Sequence, residues 1–187
     1  MGIQGVGMRR TSFRFIRIHA RPGRRTQGWL FSGPKALRPS PVALGRAGIK
    51  ALKREGDGGT PGGRFHPVRL WWRPDRLPRP RSLLPMRRIG RNDAWCEDPS
   101  DRRYNRPFRR SANEPGDRLC RDDALYDLIV EIDHNTRPLV AGRGSAVFLH
   151  IARPGFGPTA GCVAMRRSDL QRLLGRLTRK TDILIQS

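Results

Sequence analysis

The sequence predicts a mainly β domain, a small barrel or sandwich with one C-terminal helix and long irregular loops. Several short segments alternate apolar and polar residues with the two-residue period of a strand. Glycine and proline number 21 and 16, so turns interrupt the chain often. Hydrophobic residues make up only 36% of the 187 residues, which favours a loop-rich, strand-based single domain over a helical bundle.

The first half of the chain contains four predicted strands behind an N-terminal arm. Residues 1–11 are predicted as a loose, flexible arm, and the domain itself is expected over 12–187. The strands are expected at 12–19, 28–32, 42–44 and 64–72. A charged, glycine-rich loop over 53–63 precedes the last of them.

Residues 73–118 have the least regular pattern in the chain. Proline recurs through this stretch, and no strand or helix period persists. A segment of this length without periodicity is usually a functional loop or disordered. Trp95 and Tyr104 favour packing, so we interpret the stretch as an ordered loop insertion over the core.

The last third of the chain has the clearest pattern. Alternation over 126–133 predicts a half-buried strand, and the next strand, 145–151, places His150 on the same face as Ala146 and Phe148. Ser168 is the predicted N-cap of the helix. Four leucines at helical spacing follow it, Leu170, Leu173, Leu174 and Leu177, before a final strand at 182–185.

The chain is strongly basic. Lysine and arginine number 38 against 16 acidic residues, which gives a formal net charge of +22. Such a surface attracts polyanions, so a basic nucleic-acid-binding or polyanion-binding protein without catalysis is one alternative. The arginines are spread along the chain, as GC-rich codon usage also produces. No helix-turn-helix, zinc-finger or RNA-binding aromatic motif is present, so no specific nucleic-acid partner is expected.

No metal, cofactor or membrane-spanning segment is expected. The four histidines are scattered, and Cys96, Cys120 and Cys162 form no CxxC pair. Two interpretations of Cys96 and Cys120 stay open, a disulfide or packing residues. No apolar stretch approaches the roughly 20 residues of a membrane span. The N-terminus also lacks the unbroken apolar stretch of a signal peptide.

Cys162 and His150 are the residues that predict chemistry. The segment that begins at His150 reads HIARPGFGPTAGCVAM. A thiol needs a base or an electropositive setting to act as a nucleophile near neutral pH. A strand-end histidine supplies that base if the following loop folds back over it. The backbone N–H groups around Gly161 and Cys162 are candidates for binding an oxyanion.

This segment resembles the signature of the L,D-transpeptidase catalytic domain, also called YkuD-like. In that family an upstream histidine is followed, after a loop, by a Ser/Thr-x-Gly-Cys element, which here is Thr159-Ala160-Gly161-Cys162. The resemblance implies the fold of that catalytic domain over most of the chain. It also implies Cys162 as nucleophile and His150 as general base and proton donor, with Gly161 and Thr159 in support.

Two weaker signals accompany this motif. The segment GDGGTPGGRF at 56–65 is similar to the family's Thr-Pro-x-Gly-x-aromatic segment. His134 is the alternative base, because it follows a strand and Asp133 is placed to orient it. A histidine in a turn is more often structural, so His134 ranks second to His150.

The chain departs from the family pattern around the motif. It has Ile151 where the family often has glycine, Ala160 where it often has histidine or lysine, and Ala164 where it often has arginine. Arg166 or Arg167 is the expected replacement for that arginine, as a substrate-binding residue. These differences indicate a divergent branch.

The resemblance implies a two-step reaction on peptidoglycan stem peptides, in cell wall cross-linking or remodelling. Cys162 gives its proton to His150, or the two rest as an ion pair, and the thiolate displaces D-alanine from a stem tetrapeptide to form a thioester. An amine of another stem then resolves the thioester. Carbapenem-type β-lactams are expected to acylate the same sulfur.

Other outcomes on the same fold stay open. Water in place of the amine would give a stem-peptide hydrolase, and a degenerate domain would bind wall peptides without turnover. The expected chemistry implies the periplasm or cell envelope, but no export signal is visible, so a cytoplasmic location is the alternative.

Overall fold

A computed structural model describes residues 12–33 and 39–187. The strands are β1 Phe15–Arg21, β2 Arg24–Ser32, β3 Ser40–Ala43, β4 Ile49–Lys50, β5 Thr60–Pro61, β6 Gly63–Phe65, β7 Pro67–Trp72, β8 Met86–Arg88, β9 Asp93–Trp95, β10 Pro107–Arg109, β11 Asp117–Arg118, β12 Leu128–Ile132, β13 Phe148–Ile151, β14 Val163–Met165 and β15 Asp182–Gln186. The helix α1 is Arg167–Leu174, and Pro154–Phe156 forms a 3₁₀ turn. The predicted arm over 1–11 lies outside the described residues.

Ten strands form one curled sheet, which confirms the predicted mainly β fold. Their order is β6-β15-β1-β2-β3-β14-β13-β12-β7-β8. A three-stranded sheet, β10-β9-β11, and the short pair β4-β5 are separate from it. No helix in the described part of the chain is long and apolar enough to span a membrane.

A single residue joins the two ends of the large sheet. Phe65 ends β6 at one edge, and Pro67 begins β7 next to the other edge. His66 between them donates its backbone N–H to Asp133 Oδ1 at 2.7 Å. Its ring nitrogens lie 3.0 Å from Asp133 Oδ2 and 3.2 Å from Asp182 Oδ1. Since Asp133 follows β12 and Asp182 begins β15, His66 holds strands from both ends together.

The two edge strands, β6 and β8, are short and carry arginine. Each has three residues, and together they contain Arg64, Arg87 and Arg88. The Arg87 guanidinium lies 4.6 Å from the centre of the Trp71 ring. Arg88 lies 5.9 Å from the ring of Trp72, so both arginines cover aromatic surface of β7.

The core has two apolar clusters, one on each face of the central strands. Leu149 and Ile151 of β13 belong to the larger cluster. Ala146, Phe148 and Cys162 belong to the smaller one, which also contains tryptophan and tyrosine rings. The predicted alternation is confirmed over β13, whereas 145–147 lies outside the strand, with Ala146 at a φ of 50°. Full burial of each leucine or isoleucine side chain contributes roughly 1.5–3 kcal/mol.

Strand β12 is fully buried rather than half-buried as predicted. It lies between β13 and β7, and all five of its residues are buried. The 73–118 stretch covers the second face, with Trp95 packed in the same cluster as Ile129. Glu131 is consequently enclosed, accepts a hydrogen bond from Trp71 Nε1 at 2.8 Å and pairs with Arg69 at 3.0 Å. Burial raises the pKa of the Glu131 carboxyl.

The helix begins one residue before the predicted N-cap. Arg166 is the N-cap and makes no side-chain capping bond, whereas Ser168 lies inside α1. Arg167 Nη2 donates instead to Asp127 Oδ2 at 2.9 Å, next to the start of β12. The helix position is thus set by this ion pair and by burial of its leucines, Leu170, Leu173 and Leu174.

Candidate active site

Cys162 and His150 line one cavity of about 500 Å³. His150 lies in β13, and Cys162 directly precedes β14, which pairs with β13 in parallel. The loop after β13 returns the chain so that His150 stands opposite Ala164 in the ladder. The structure therefore brings the predicted nucleophile and the predicted base to one site.

The Cys162 thiol is buried and hydrogen-bonded to the backbone. Its Sγ donates to the carbonyl of Ala146 at 3.1 Å, and the N–H of Phe148 donates to Sγ at 3.4 Å. Burial raises the pKa of this thiol to about 12, because a thiolate loses its hydration there. At neutral pH the resting sulfur is a thiol, not half of an ion pair.

His150 is held as a neutral imidazole with one defined tautomer. Its Nδ1 lies 2.9 Å from the carbonyl oxygen of Ile151. A carbonyl only accepts hydrogen bonds, so Nδ1 carries the proton and Nε2 keeps its lone pair. Burial lowers the pKa of the ring to about 4. The ring also packs edge-on against Tyr126, with centroids 5.3 Å apart.

Thr159 and Gly161 shape the turn in front of the nucleophile. Thr159 Oγ1 donates to the Cys162 carbonyl at 2.7 Å and accepts the Gly161 N–H at 3.1 Å. Gly161 has a φ of +153°, and a Cβ there would lie 2.9 Å from the carbonyl oxygen of Gly59. Only glycine fits this position without moving the neighbouring loop. The Gly161 N–H is already used by Thr159.

Asn105 supports the site and was missed in the sequence. Its Oδ1 accepts hydrogen bonds from Trp95 Nε1 at 3.0 Å and from the Ala146 N–H at 3.2 Å. Its Nδ2 donates to the carbonyls of His134 and Asn135 at 3.0 and 2.9 Å. Asn105 thereby fixes Ala146, whose φ of 50° turns the backbone where its carbonyl receives the thiol.

Tyr104 adds a second contact from the same loop. Its hydroxyl donates to Glu55 Oε2 at 2.5 Å and accepts the Gly144 N–H at 3.0 Å. Tyr104 and Trp95 are 2% and 3% exposed, and the 73–118 stretch that contains them includes the short strands β8 to β11 instead of irregular loop alone. Nothing in the local sequence pattern identified which atoms these loop residues would contact.

Three carboxylates also line the cavity, those of Glu55, Glu97 and Asp117. Tyr126 donates to Asp117 Oδ2 at 2.7 Å, and burial raises the pKa of Asp117. Glu97 is an exposed residue of the lining, and partial desolvation, followed by the charges of Asp117 and Glu55, raises the pKa of its carboxyl to about 7.

The family is decided by sequence comparison. The family model of the L,D-transpeptidase catalytic domain, YkuD, matches residues 15–185. The chain belongs to this family. A comparison with curated proteins finds no match.

Three solved L,D-transpeptidase structures are similar to this chain at low sequence identity. An L,D-transpeptidase from Mycobacterium smegmatis has a TM-score of 0.43 and 12% identity over 92% of this chain and 58% of its own. L,D-transpeptidase 1 from Mycobacterium tuberculosis has a TM-score of 0.39 and 13% identity, over 91% of this chain and 61% of its own. L,D-transpeptidase 3 from the same organism has a TM-score of 0.41 and 12% identity, over 92% of this chain and 61% of its own. The chain thus spans about three fifths of the length of these proteins.

The alternative base, His134, is not brought to Cys162 by this L,D-transpeptidase domain. It lines a second cavity of about 570 Å³, and its Nε2 lies 3.1 Å from the carbonyl oxygen of Arg143. Asp133 does not orient it, because both Asp133 oxygens bind His66. Burial lowers the pKa of His134, as it does for His150.

Neither Arg166 nor Arg167 lines the Cys162 cavity. Arg166 lies 5.7 Å from the ring of Phe156, and Arg167 pairs with Asp127. Other cationic residues line it instead: Arg46, Lys53, Arg121 and Arg153. Sequence spacing from Cys162 could not identify these residues, because they come from four separate loops.

The remaining cysteines form no disulfide. Cys96 and Cys120 are both free thiols in the structure, and Cys96 is buried. Burial raises the pKa of the Cys96 thiol, which suits a packing residue. Within 12–33 and 39–187, no three His, Cys, Asp or Glu side chains are grouped to hold a metal ion.

Proposed function

We propose that this protein is a cysteine-dependent L,D-transpeptidase that acts on peptidoglycan stem peptides through a Cys162 thioester. The observation that carries the proposal is that Cys162 and His150, a histidine of fixed tautomer, line one cavity. The carbonyl oxygen of Ile151 accepts the hydrogen bond from His150 Nδ1–H, so Nε2 is the ring atom that can accept a proton. The proposed substrate places the reaction in the periplasm or cell envelope.

In the first step the thiol loses its proton as the sulfur attacks. Because burial opposes both charged forms, transfer from Cys162 to His150 Nε2 accompanies formation of the carbon–sulfur bond. We assign the Cys162 N–H to the resulting oxyanion, since Thr159 already binds the Gly161 N–H. Collapse of the intermediate breaks the peptide bond, and His150 gives its proton to the departing D-alanine amine.

In the second step an acyl acceptor attacks the thioester carbonyl. The carbon–sulfur bond breaks, the new amide forms, and the sulfur leaves as a thiolate that regains a proton through His150. The hydrogen bonds from Phe148 N–H and to Ala146 O then hold the thiol for the next cycle.

The proposal is tested by intact-protein mass spectrometry after incubation with a carbapenem. We expect one adduct on the wild type and on the matched control Cys96→Ala, and none on Cys162→Ala. His150→Gln should acylate at least about a hundredfold more slowly, since general base catalysis contributes about 10²–10⁴ in rate. An adduct that persists on Cys162→Ala, or none on folded wild type, would contradict the proposal.

A further inference from the structure

Lys53 is a buried cation in the wall of the Cys162 cavity. Only 6% of its side chain is exposed. Its Nζ donates to Asp57 Oδ1 at 2.7 Å and to the carbonyl of Arg54 at 2.6 Å. An ammonium group has three N–H donors, and within 12–33 and 39–187 only these two have an acceptor. One donor of Lys53 is therefore left for a molecule in the cavity.

The side chain of Lys53 lies against two backbone segments that hold Cys162. A Cβ at Gly144 would lie 2.8 Å from Lys53 Cγ, and a Cβ at Gly161 would lie 3.4 Å from Lys53 Cε. Gly144 is two residues before Ala146, whose carbonyl accepts the thiol, and Gly161 directly precedes the nucleophile. Because neither glycine has a side chain, the lysine stem can bring its ammonium group to the turn that carries Cys162.

Asp57 fixes the ammonium group in this place. Its Oδ1 accepts the Gly59 N–H at 2.8 Å as well as the hydrogen bond from Lys53. The carbonyl oxygen of Gly59 in turn faces Gly161, where a Cβ would come within 2.9 Å of it. The loop over 53–59 thus orients the charge and packs against the nucleophile turn. A charge held in this way needs no rearrangement when negative charge develops beside it.

The other three cations of the described lining are less enclosed. Arg46 and Arg153 are exposed residues, and Arg121 pairs with Asp123 at 2.7 Å. Lys53 is consequently the cation whose charge is least screened by water at the nucleophile.

The oxyanion of the proposed reaction lacks a second donor. The Cys162 N–H is assigned to it, but the Gly161 N–H is bound by Thr159. Such oxyanions are usually held by more than one hydrogen-bond donor. The charge of Lys53 is also felt at the reacting residue: burial raises the pKa of the Cys162 thiol overall, and the charge of Lys53 opposes that rise.

We propose that the ammonium group of Lys53 donates its remaining hydrogen bond to the oxyanion that forms when Cys162 attacks the substrate carbonyl. This inference rests on the proposed function and adds a catalytic residue to it. Together with the Cys162 N–H, Lys53 supplies two donors to the developing charge. Lys53 keeps all three of its protons, so proton transfer between Cys162 and His150 is unchanged. The same contact serves the second step, in which an oxyanion forms again at the thioester carbon.

The test compares two reactions of the same thiol. Acylation by a carbapenem passes through an oxyanion, whereas alkylation by iodoacetamide displaces iodide and forms none. Both rates are measured by mass spectrometry at one pH, with peptide mapping to assign alkylation to Cys162. Wild type is compared with Lys53→Met, which keeps the stem and removes the ammonium group. The control is Lys50→Met, since Lys50 also contacts Asp57, at 3.6 Å, but does not line the cavity.

We expect Lys53→Met to be acylated about 10²-fold more slowly, the effect of losing one oxyanion donor. Alkylation should slow by less than about tenfold, because a charge already paired with Asp57 shifts a nearby pKa by about one unit or less. Lys53→Gln keeps an N–H donor without the charge, so its acylation rate should lie between those of wild type and Lys53→Met. Lys50→Met should change neither rate.

Equal losses of acylation and alkylation in Lys53→Met overturn the inference, because Lys53 would then act on the thiol or on the fold. Unchanged acylation also overturns it and leaves the proposed function in place. Thermal unfolding is measured for each variant, and Lys53→Gln carries the same comparison where Lys53→Met does not fold. If the carbapenem does not acylate folded wild type, the proposed function itself fails, and the inference fails with it.

Discussion

Cys162 and His150 are both held without charge at rest. Each is less than one tenth exposed, and burial disfavours the charged form of each. The usual ion-pair picture of an activated cysteine does not apply here. Activation depends on substrate, which must expel water and place a carbonyl carbon where proton transfer and attack occur together.

The ionisation of Cys162 predicts its alkylation profile. The rate of Cys162 modification by iodoacetamide should be low at pH 7 and should rise continuously above pH 9, since the pKa of the thiol is about 12. Peptide mapping by mass spectrometry measures this rate, with Cys120 as an internal reference of intermediate exposure. A plateau between pH 5 and 8 would indicate a thiolate–imidazolium pair and contradict the neutral resting state.

The buried imidazole of His150 predicts a loss of stability in acid. Its pKa is about 4 in the folded state and near 6.5 when unfolded, so the unfolded state binds more protons between these values. The stability contribution is complete above pH 6.5 and falls as the pH drops to 4, by up to about 3 kcal/mol. Urea unfolding at pH 7 and pH 4.5 should show a smaller loss for His150→Gln than for wild type; equal losses would refute this assignment.

Asn105 predicts a stability effect far from the nucleophile in sequence. Replacement by alanine leaves the buried N–H groups of Trp95 and Ala146 without an acceptor. The free energy of unfolding should fall by about 2–4 kcal/mol, and acylation of Cys162 should slow. Asn113→Ala, an exposed change in the same stretch, is the control and should have no effect on urea unfolding. A cost below about 1 kcal/mol would show that Asn105 does not hold the site.

At the level of elements, the strand that carries His150 could be predicted from the sequence. The contacts that the 73–118 stretch makes with this site could not. Alternation placed His150 on the correct face of β13, because period two follows directly from strand geometry. The contacts of Asn105 depend on how an irregular loop crosses the sheet, and no local period encodes that. The helix start at Arg167 was missed for a similar reason, since Asp127 is far away in sequence.

Asp127 predicts how strongly α1 is attached to the sheet. Its carboxylate accepts hydrogen bonds from Arg76 at 3.1 Å and from Arg167 at 2.9 Å. Asp127→Ala should reduce the free energy of unfolding by about 1–3 kcal/mol, with the two guanidinium groups partly rescued by solvent. Asp122→Ala, an exposed neighbour that offers Arg76 only its backbone carbonyl, is the control. Equal thermal unfolding midpoints of the two variants would rule out this attachment.

At the level of the whole molecule, the net charge of +22 predicts nonspecific binding to polyanions. Fluorescence anisotropy with a labelled DNA duplex should show binding at 50 mM salt that weakens by about 10³-fold or more at 200 mM. Cys162→Ala should bind equally well, because this attraction is independent of the cavity. Tight binding that survives physiological salt would instead favour the nucleic-acid alternative.

Composition and alternation predicted the mainly β class. They could not predict how the two ends of the large sheet are joined. His66 joins strands from opposite ends because Asp133 and Asp182, distant in sequence, meet at one imidazole. The family motif predicted the pairing of Cys162 with His150 in one site. The mixed charge of the cavity could not be predicted, because Glu55, Glu97 and Asp117 come from three separate segments and lie among cationic residues of other loops.

The arginines of the two short edge strands, β6 and β8, oppose aggregation through the sheet edges. An open sheet exposes unpaired backbone groups at both ends, and another molecule can add its own strand there and seed aggregation. Here each end offers only three residues, and Arg64, Arg87 and Arg88 would set like charges against each other in any such stack. At high protein concentration, these short and charged edges disfavour strand-to-strand association between molecules.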